Sequence, residues 1–408
     1  MIYDLIVIGS GASGIISAIT AKQNNHTVLL LEKLPTIASK LKATGGGKCN
    51  LTNTLSNNEL MHHFGRDGRF MQDALMEFDN QKLVQFLDSI GVQTHAPDGF
   101  RVFPISHNSA TIITALQTKM QDLGVEIICS QKVIELLQDD KKITGLKTQD
   151  TTYRCKNIIL ATGGLGFASL GAEGDGYKLS YELGHTTTEL YPAMLPLHTK
   201  ESWVSNCRAD TVAKVKMKID IKKHKKLQAI GDLIFTKKGI RGPVVLDFAR
   251  EITPLLEKYG EVPILLNLTN GMNEEDILKH LKKQTSNIIK ALSYIVPNSI
   301  AIELCRLADI KTDITFFKIN GKNKAMLINL LAWTPLTIVG SDGFKMAMIT
   351  RGGIKLKEIN PKTMQSKIID GLYFCGEVMN IDGPCGGYNL QWSFSSGYLA
   401  GLLKKDNI

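Results

Sequence analysis

The sequence predicts an α/β protein organised around a parallel sheet, and three observations carry that prediction. A short apolar run, Leu5-Ile6-Val7-Ile8, enters a glycine-rich turn and then a segment of helical composition. A second apolar run, Thr27-Val28-Leu29-Leu30-Leu31, ends on an acid, Glu32. Near the other end of the chain, Gly371–Leu390 returns to the same strand, glycine loop and helix pattern. Continuous apolar runs suit strands covered on both faces, as in parallel sheets, better than the alternating strands of a half-exposed one.

The first turn is Gly9-Ser10-Gly11-Ala12-Ser13-Gly14. In this G-x-G-x-x-G spacing the first glycine permits a tight turn, the second lets backbone approach a pyrophosphate, and the third lets helix and strand pack closely. The helix that follows offers unsatisfied N–H groups and the positive end of its dipole to phosphates. Glu32, followed by Lys33, stands where an acid accepts hydrogen bonds from ribose hydroxyls. An acid there argues for an unphosphorylated ribose, so FAD or NAD rather than NADP. The unit is Rossmann-like, and alone it does not choose between those two.

Thr44-Gly45-Gly46-Gly47-Lys48-Cys49-Asn50 comes next. Three consecutive glycines suit a backbone that lies against a flat ligand and offers it N–H groups. Residues 81–91 and 109–123 predict amphipathic helices, with a strand or turn at Gly99–Pro104 between them. Val125–Ile128 and Lys132–Leu137 predict strands, and Val133 is a candidate for holding an adenine through its backbone. The buried run Cys155–Leu160 ends at Ala161-Thr162-Gly163-Gly164, and Gly174-Asp175-Gly176 opens a helix. From about Leu190 the character changes. Residues 193–268 predict strands, with alternation at Lys214–Ile221, and residues 274–335 predict helices broken at Pro297 and at an Asn-Gly turn.

The C-terminal segment then supplies Gly376-Glu377 at a strand end and the loop Asp382–Asn389. Gly386 and Gly387 allow close approach to a ligand. Asn389, Leu390 and Gln391 lie at the start of a helix whose dipole can stabilise a reduced flavin's negative charge. This C-terminal partner turns the dinucleotide assignment toward FAD. The divisions expected are 1–190 and 340–408 for the FAD domain, 191–272 for an inserted β-rich part and 273–339 for an inserted helical part.

Composition bounds the rest. The chain has 408 residues, 43% of them hydrophobic and 21% charged, ordinary values for a globular protein. The first residues lack a basic leader, and no apolar run reaches spanning length, so neither a secretion signal nor a membrane helix is expected. Seven cysteines, an odd number with no C-x-x-C pair, argue against a disulfide framework or zinc site and for the cytoplasm. The histidines, His62-His63, His107 and His185 among them, show no metal-ligand spacing, so no metal is expected.

With these segments assembled, the chain resembles the bacterial FAD-binding flavoproteins typified by aminoacetone oxidase and the BaiN/RdsA-type NAD(P)/FAD-dependent oxidoreductases. The motifs that carry the resemblance are T-G-G-G-K-C-N-L-T-N at Thr44–Asn53, A-T-G-G at Ala161–Gly164 and T-R-G-G-I at Thr350–Ile354. Two more follow, G-L-Y-F-C-G-E-V at Gly371–Val378 and G-P-C-G-G-Y-N-L-Q-W at Gly383–Trp392. The resemblance implies a discontinuous FAD domain of glutathione-reductase type, with an inserted region that is part β-barrel-like and part helical. It also shows departures. Where the family commonly has F-T-H-x-G-(I/L)-S-G-P, this chain has Phe235–Pro243 with Lys237 for the His and Arg241 for the Ser. Cys385 stands where Thr is frequent.

The resemblance leaves three activities open. One is a reductase delivering hydride from flavin N5 to a conjugated C=C bond of a small molecule. The second is an oxidase of a small amino ketone such as aminoacetone, passing electrons to oxygen. The third is a ribosomal RNA uridine reductase. There is no second dinucleotide turn, so NAD(P)H, the expected electron donor, would bind only transiently. A reductase needs an acid for the carbon that does not take hydride, and Cys385, Cys49, Tyr388 and Lys48 are the candidates. The net charge of +9 and the run Lys214–Lys226, with Lys237, Lys238 and Arg241, offer a phosphate-binding face for RNA. A charge run is more often a solvated strand face.

Overall fold

The computed structural model describes residues 1–404. They form two compact units: Met1–Tyr191 together with the chain from Ile349 onward, and Pro192–Met348. The inserted segment is thus one body, where the sequence suggests a β-rich domain to residue 272 and a separate helical one after it. One core joins barrel residues such as Met217, Phe235 and Leu266 to helix residues such as Ile277, Leu304 and Leu331, because neither layer can bury its apolar face alone.

Within the described residues the first unit is built on a seven-stranded sheet. Ile2–Ile8 is flanked in parallel by Val28–Leu31 and Thr152–Leu160, and Glu126–Ile128 extends the sheet beyond Val28–Leu31. The long strand Thr152–Leu160 has two partners along one edge. Its first half pairs antiparallel with Lys142–Thr148, which in turn pairs with Val133–Asp139. Its second half pairs parallel with Leu372–Phe374. That last pairing brings the C-terminal segment into the sheet.

The parallel strands are buried along almost their whole length, as their continuous apolar runs require. Helix Ala12–Gln23 packs on helix Tyr388–Gly401. Small residues let these two approach, since a Cβ at Gly397 would stand 2.3 Å from Ser13 O. Sequence signals miss the helices Asn57–His62 and Gln72–Glu77 and the strand Lys142–Thr148.

The second unit contains a closed barrel. Its strands run in the order Leu197–Thr199, Gly239–Arg241, Gln228–Phe235, Thr211–Ile219, Val262–Asn267 and Thr334–Ser341. Thr334–Ser341 closes the barrel, which explains why the unit extends past residue 339. The stretch 193–268, expected to be β-rich, also holds the helix Pro243–Tyr259. Val245, Phe248, Ala249 and Ile252 are buried at helical spacing, but its Val, Ile and Thr residues favour strands by local propensity. Pro243 starts that helix, where a missing N–H costs nothing. The Asn-Gly pair at 320–321 is a helix start, with the Asn320 side chain capping Gly321–Ala332.

Candidate flavin site

At the phosphate end, strand Ile2–Ile8 delivers the chain into Gly9, whose φ of +100° suits glycine. A Cβ on Gly14 would lie 1.9 Å from Gly9 O, so the turn and helix are in backbone contact there. Gly11 differs, because a Cβ built on it meets nothing within 4 Å. Gly11 is also the N-cap of Ala12–Gln23, and no side chain caps that helix. No side chain therefore takes up its first N–H groups, as an anion site requires. Nearby, Thr162 Oγ1 is buried without a hydrogen-bond partner among the described residues. These features fit the pyrophosphate of a dinucleotide.

Glu32 is buried at the end of its strand. Its Oε2 accepts from Ser10 N at 3.0 Å and Ser10 Oγ at 2.5 Å, and its Oε1 accepts from Leu34 N at 2.8 Å. The carboxylate is thus fixed in direction, and a carboxylate has about four acceptor positions in all. Lys33 and Asp175 meet each other in a four-charge cluster. Lys33 pairs with Asp175 and, at 2.8 Å, with Glu173, while Lys132 lies 3.0 Å from Asp175 and 3.4 Å from Glu173. Burial alone would raise the Asp175 carboxyl, but Lys33 and Lys132 together hold it below its ordinary value. Val133 is buried beside this cluster, at the start of its strand.

At the ring end, Gly45, Gly46 and Gly47 have φ of +58°, +65° and +87°, a run in the left-handed region that only glycines sustain without strain. Cys49 also sits at positive φ, +59°. The Asn50 amide donates to Thr52 O at 3.0 Å and Val102 O at 3.3 Å, and accepts from Gly387 N at 3.0 Å. Asn53 Nδ2 donates to Gly386 O at 3.1 Å. These two asparagines tie the glycine loop to the C-terminal loop. That loop is held internally by Asn389, which accepts from Gly383 N at 2.8 Å and donates to Gly383 O at 2.9 Å. Gly387 is the N-cap of Tyr388–Gly401, again without a side-chain cap.

Glu377 bridges two further segments. It pairs with Lys40 at 2.7 Å and accepts from Thr350 N at 2.9 Å, and Thr350 Oγ1 accepts from Leu165 N at 2.8 Å. Ala12, Ser13, Ala161 and Gly376 are buried in the turns of this end of the sheet; Thr44 and Gly163 are less deeply placed there. Leu390 is half-buried on the first turn of its helix. Gln391 turns away from that end, fully buried and donating to Phe78 O and Ser395 Oγ.

The four candidate acids separate clearly. Cys49 is fully buried, and desolvation pushes its thiol up to about 11 despite a hydrogen bond with Thr44. It packs beneath the loop and cannot serve as an accessible acid there. Tyr388 is buried too, its ring against His63 at 4.9 Å, Phe64 at 6.1 Å and Phe100 at 6.2 Å. Cys385 is exposed, and Lys48 lies at the surface of the glycine loop. Of the other cysteines, Cys155 and Cys305 are buried and Cys129 is half-buried.

Sequence reasoning misses the role of the strand Arg101–Pro104. Val102 bonds Leu51 and Asn50, Phe103 lies against Gly45, and Phe100 packs on Gly386 and Tyr388. One strand thereby supports both loops at the ring end. Its only local signal is the pair of aromatics around Arg101-Val102.

Fold, site and relatives together place the chain among the FAD-dependent oxidoreductases. The chain belongs to the HI0933-like family, whose Rossmann-domain model matches residues 3–403. It is 31% identical to the 3-dehydro-bile acid delta(4,6)-reductase of Clostridium scindens, over 97% of each chain. It is 27% identical to the ribosomal RNA dihydrouridine synthase of Haemophilus influenzae, again over 97% of each. Among solved structures, the 3-ketosteroid delta1-dehydrogenase of Sterolibacterium denitrificans shares the fold, with a TM-score of 0.55 at 12% identity over 98% of each chain. No described helix is long and apolar enough to cross a membrane.

Proposed function

We propose that this flavoprotein is a reductase that saturates a carbon–carbon double bond conjugated to a carbonyl, with NAD(P)H as the electron donor. One observation carries the proposal. Two full-length relatives with different substrates have names that describe the same bond change. A delta(4,6)-reductase saturates a ring double bond, and dihydrouridine is uridine saturated at a ring double bond conjugated to a carbonyl. An amino-ketone oxidase has no such counterpart among these relatives.

The chain's own residues then have the following parts. Gly11 and the uncapped start of Ala12–Gln23 hold the pyrophosphate, and Glu32 holds the ribose. The Gly45–Gly47 and Gly386–Asn389 loops, tied by Asn50 and Asn53, hold the ring system. FAD, when bound, supplies hydride chemistry at N5. The uncapped N-terminus of Tyr388–Gly401 stabilises negative charge placed before it. Cys385 gives a proton to the substrate carbon that does not take hydride, and its exposed thiolate recovers a proton from water.

Anaerobic stopped-flow absorbance tests this reading. NADH or NADPH is expected to bleach the flavin, and a cyclic enone to restore it faster than oxygen does. Fast reoxidation by oxygen, with turnover of aminoacetone, would overturn it.

A second reading keeps the chemistry and changes the substrate to uridine in ribosomal RNA. Lys223, Lys225, Lys226, Lys237, Lys238 and Arg241 carry exposed positive charge on the second unit, and a relative's name supplies the substrate. Salt-dependent RNA binding, with dihydrouridine formed in the bound RNA, supports it; no binding at low salt excludes it.

A further inference from the structure

We infer that the second unit carries an accessory site for a nucleoside monophosphate unit, in a half-open surface pocket of about 490 Å³ at one end of the barrel. The inference is independent of the reductase reading, since every lining residue lies within 211–297. Cavities of about 300–1,000 Å³ with an apolar lining and a few polar groups are the usual form of small-molecule sites.

The apolar part comes from Val212, Leu268, Ile295 and Pro297. Tyr294 adds a ring that is 63% exposed at the pocket. A flat base can cover such a ring by stacking, which is indifferent to the identity of the base. The charged part is a single cation, Lys214. Among the described residues its exposed ammonium has no ion-pair partner, and the exposed side chains of Thr211, Asn270 and Tyr294 have no protein hydrogen-bond partner, so all four are open to a ligand from solvent. One cation beside one open ring, with a hydroxyl and an amide to spare, matches one phosphate joined to one base through a ribose.

The backbone on both walls is held in place before any ligand arrives. Thr211–Ile219 slips register against Gln228–Phe235 between Val212 and Val215. At that irregularity Lys214 takes a φ of +52°, and its N–H bonds Asp232 Oδ1 at 3.0 Å. Opposite, Asn270 has a φ of +54° in a loop pinned by Asn267 Oδ1, which accepts from Thr269 N and Gly271 N at 3.0 Å each. Bulges and left-handed non-glycine residues re-aim side chains and recur at binding sites. Here they turn the lysine and the asparagine, from two different elements, to the same cavity.

The test is calorimetric titration of the FAD-loaded protein with AMP, UMP and inorganic phosphate. Loading with FAD removes the dinucleotide site as a competing place for AMP. One-to-one binding of both nucleotides is expected, at least about tenfold weaker in Tyr294→Ala and in Lys214→Glu. Inorganic phosphate is expected to bind far more weakly than either. The flavin spectrum and melting temperature of both variants serve as folding controls. A short oligouridylate distinguishes a free nucleotide from a nucleotide within a strand. Tighter binding of the oligomer, lost in Tyr294→Ala, assigns the site to a strand; equal or weaker binding assigns it to the free ligand. Absence of heat with AMP and UMP at millimolar concentration overturns the site, as does binding that neither substitution weakens.

Discussion

The two units present different parts of the polypeptide to a ligand. In the first, the surfaces at the strand ends are backbone: an uncapped helix start at Gly11, three left-handed glycines at 45–47, and another uncapped start at Gly387. In the second, the outer barrel strands carry side chains, with lysines facing outward over a fully buried interior of Val215, Met217 and Ile219. Lys218 even lies over the Trp333 ring, 3.4 Å from its centroid. Backbone recognition depends on the absence of atoms, so it fails when a single Cβ is added. Side-chain recognition is built on a fold that does not depend on it, so it can be removed with little cost to stability.

The largest expected effect tests the first half of that contrast. In Gly14→Ala the new Cβ would stand 1.9 Å from Gly9 O, a rigid backbone atom. Overpacking of that kind is expected to cost about 3 kcal/mol or more, seen as loss of folded protein. Gly11→Ala is its control, since its φ of −70° suits alanine and its Cβ meets nothing within 4 Å. Its apoprotein should melt within about 0.5 kcal/mol of wild type, while FAD affinity falls by at least about tenfold. If Gly11→Ala binds FAD normally, Gly11 is not where the dinucleotide approaches.

Next in size is Glu377→Gln. It removes the charge that pairs with Lys40 and weakens the acceptor used by Thr350 N. A loss of about 1–2 kcal/mol in the apoprotein is expected, measured by denaturant melts, together with weaker FAD retention. Lys40→Met should reproduce part of both effects.

Much of the first unit is legible in the sequence because its signals are local. The G-x-G-x-x-G turn, the apolar strands and Glu32 each announce themselves within a few residues. The links that assemble the site are not legible. Asn50 to Gly387 and Asn53 to Gly386 join segments far apart in the chain, and an asparagine's sequence neighbours do not say which distant carbonyl or N–H it meets. Burial is equally hidden. Cys49 and Cys385 look alike as residues of glycine-rich loops, yet one is fully buried and the other exposed. In the second unit, the residues of helix Pro243–Tyr259 predict strand because local propensity competes with a tertiary environment that overrides it.

A smaller effect concerns charge in the first unit. Glu173 is held below its ordinary value first by the Lys33 hydrogen bond, and Asp175 is also lowered, burial being outweighed by Lys33 and Lys132. Carboxyls lowered in the folded state stabilise it above their unfolded values, near about 4, and that contribution disappears as pH falls through the folded values. Lys33→Met should therefore lessen the fall in melting temperature between about pH 5 and pH 3, by about 1–2 °C because the pairs are partly exposed. An unchanged pH profile would show that the cluster is not a source of acid sensitivity.

The smallest effect on stability, and the sharpest test of the second half of the contrast, is in the connection between two barrel strands. Lys222, Lys223, Lys225 and Lys226 follow the strand Thr211–Ile219, and the ion pair of Lys225 with Asp220 is a loose 3.6 Å. Replacing all four by serine is expected to change stability by no more than about 0.5 kcal/mol per site. If these lysines hold RNA, the same variant should bind it more weakly at every sequence. Its affinity should also depend less steeply on salt, by about one unit of slope for each phosphate no longer neutralised. A variant that keeps the wild-type salt slope would mean the lysines are a solvated connection between two barrel strands. A variant that unfolds would break the comparison itself, because the barrel would then depend on the very side chains that its buried interior makes dispensable.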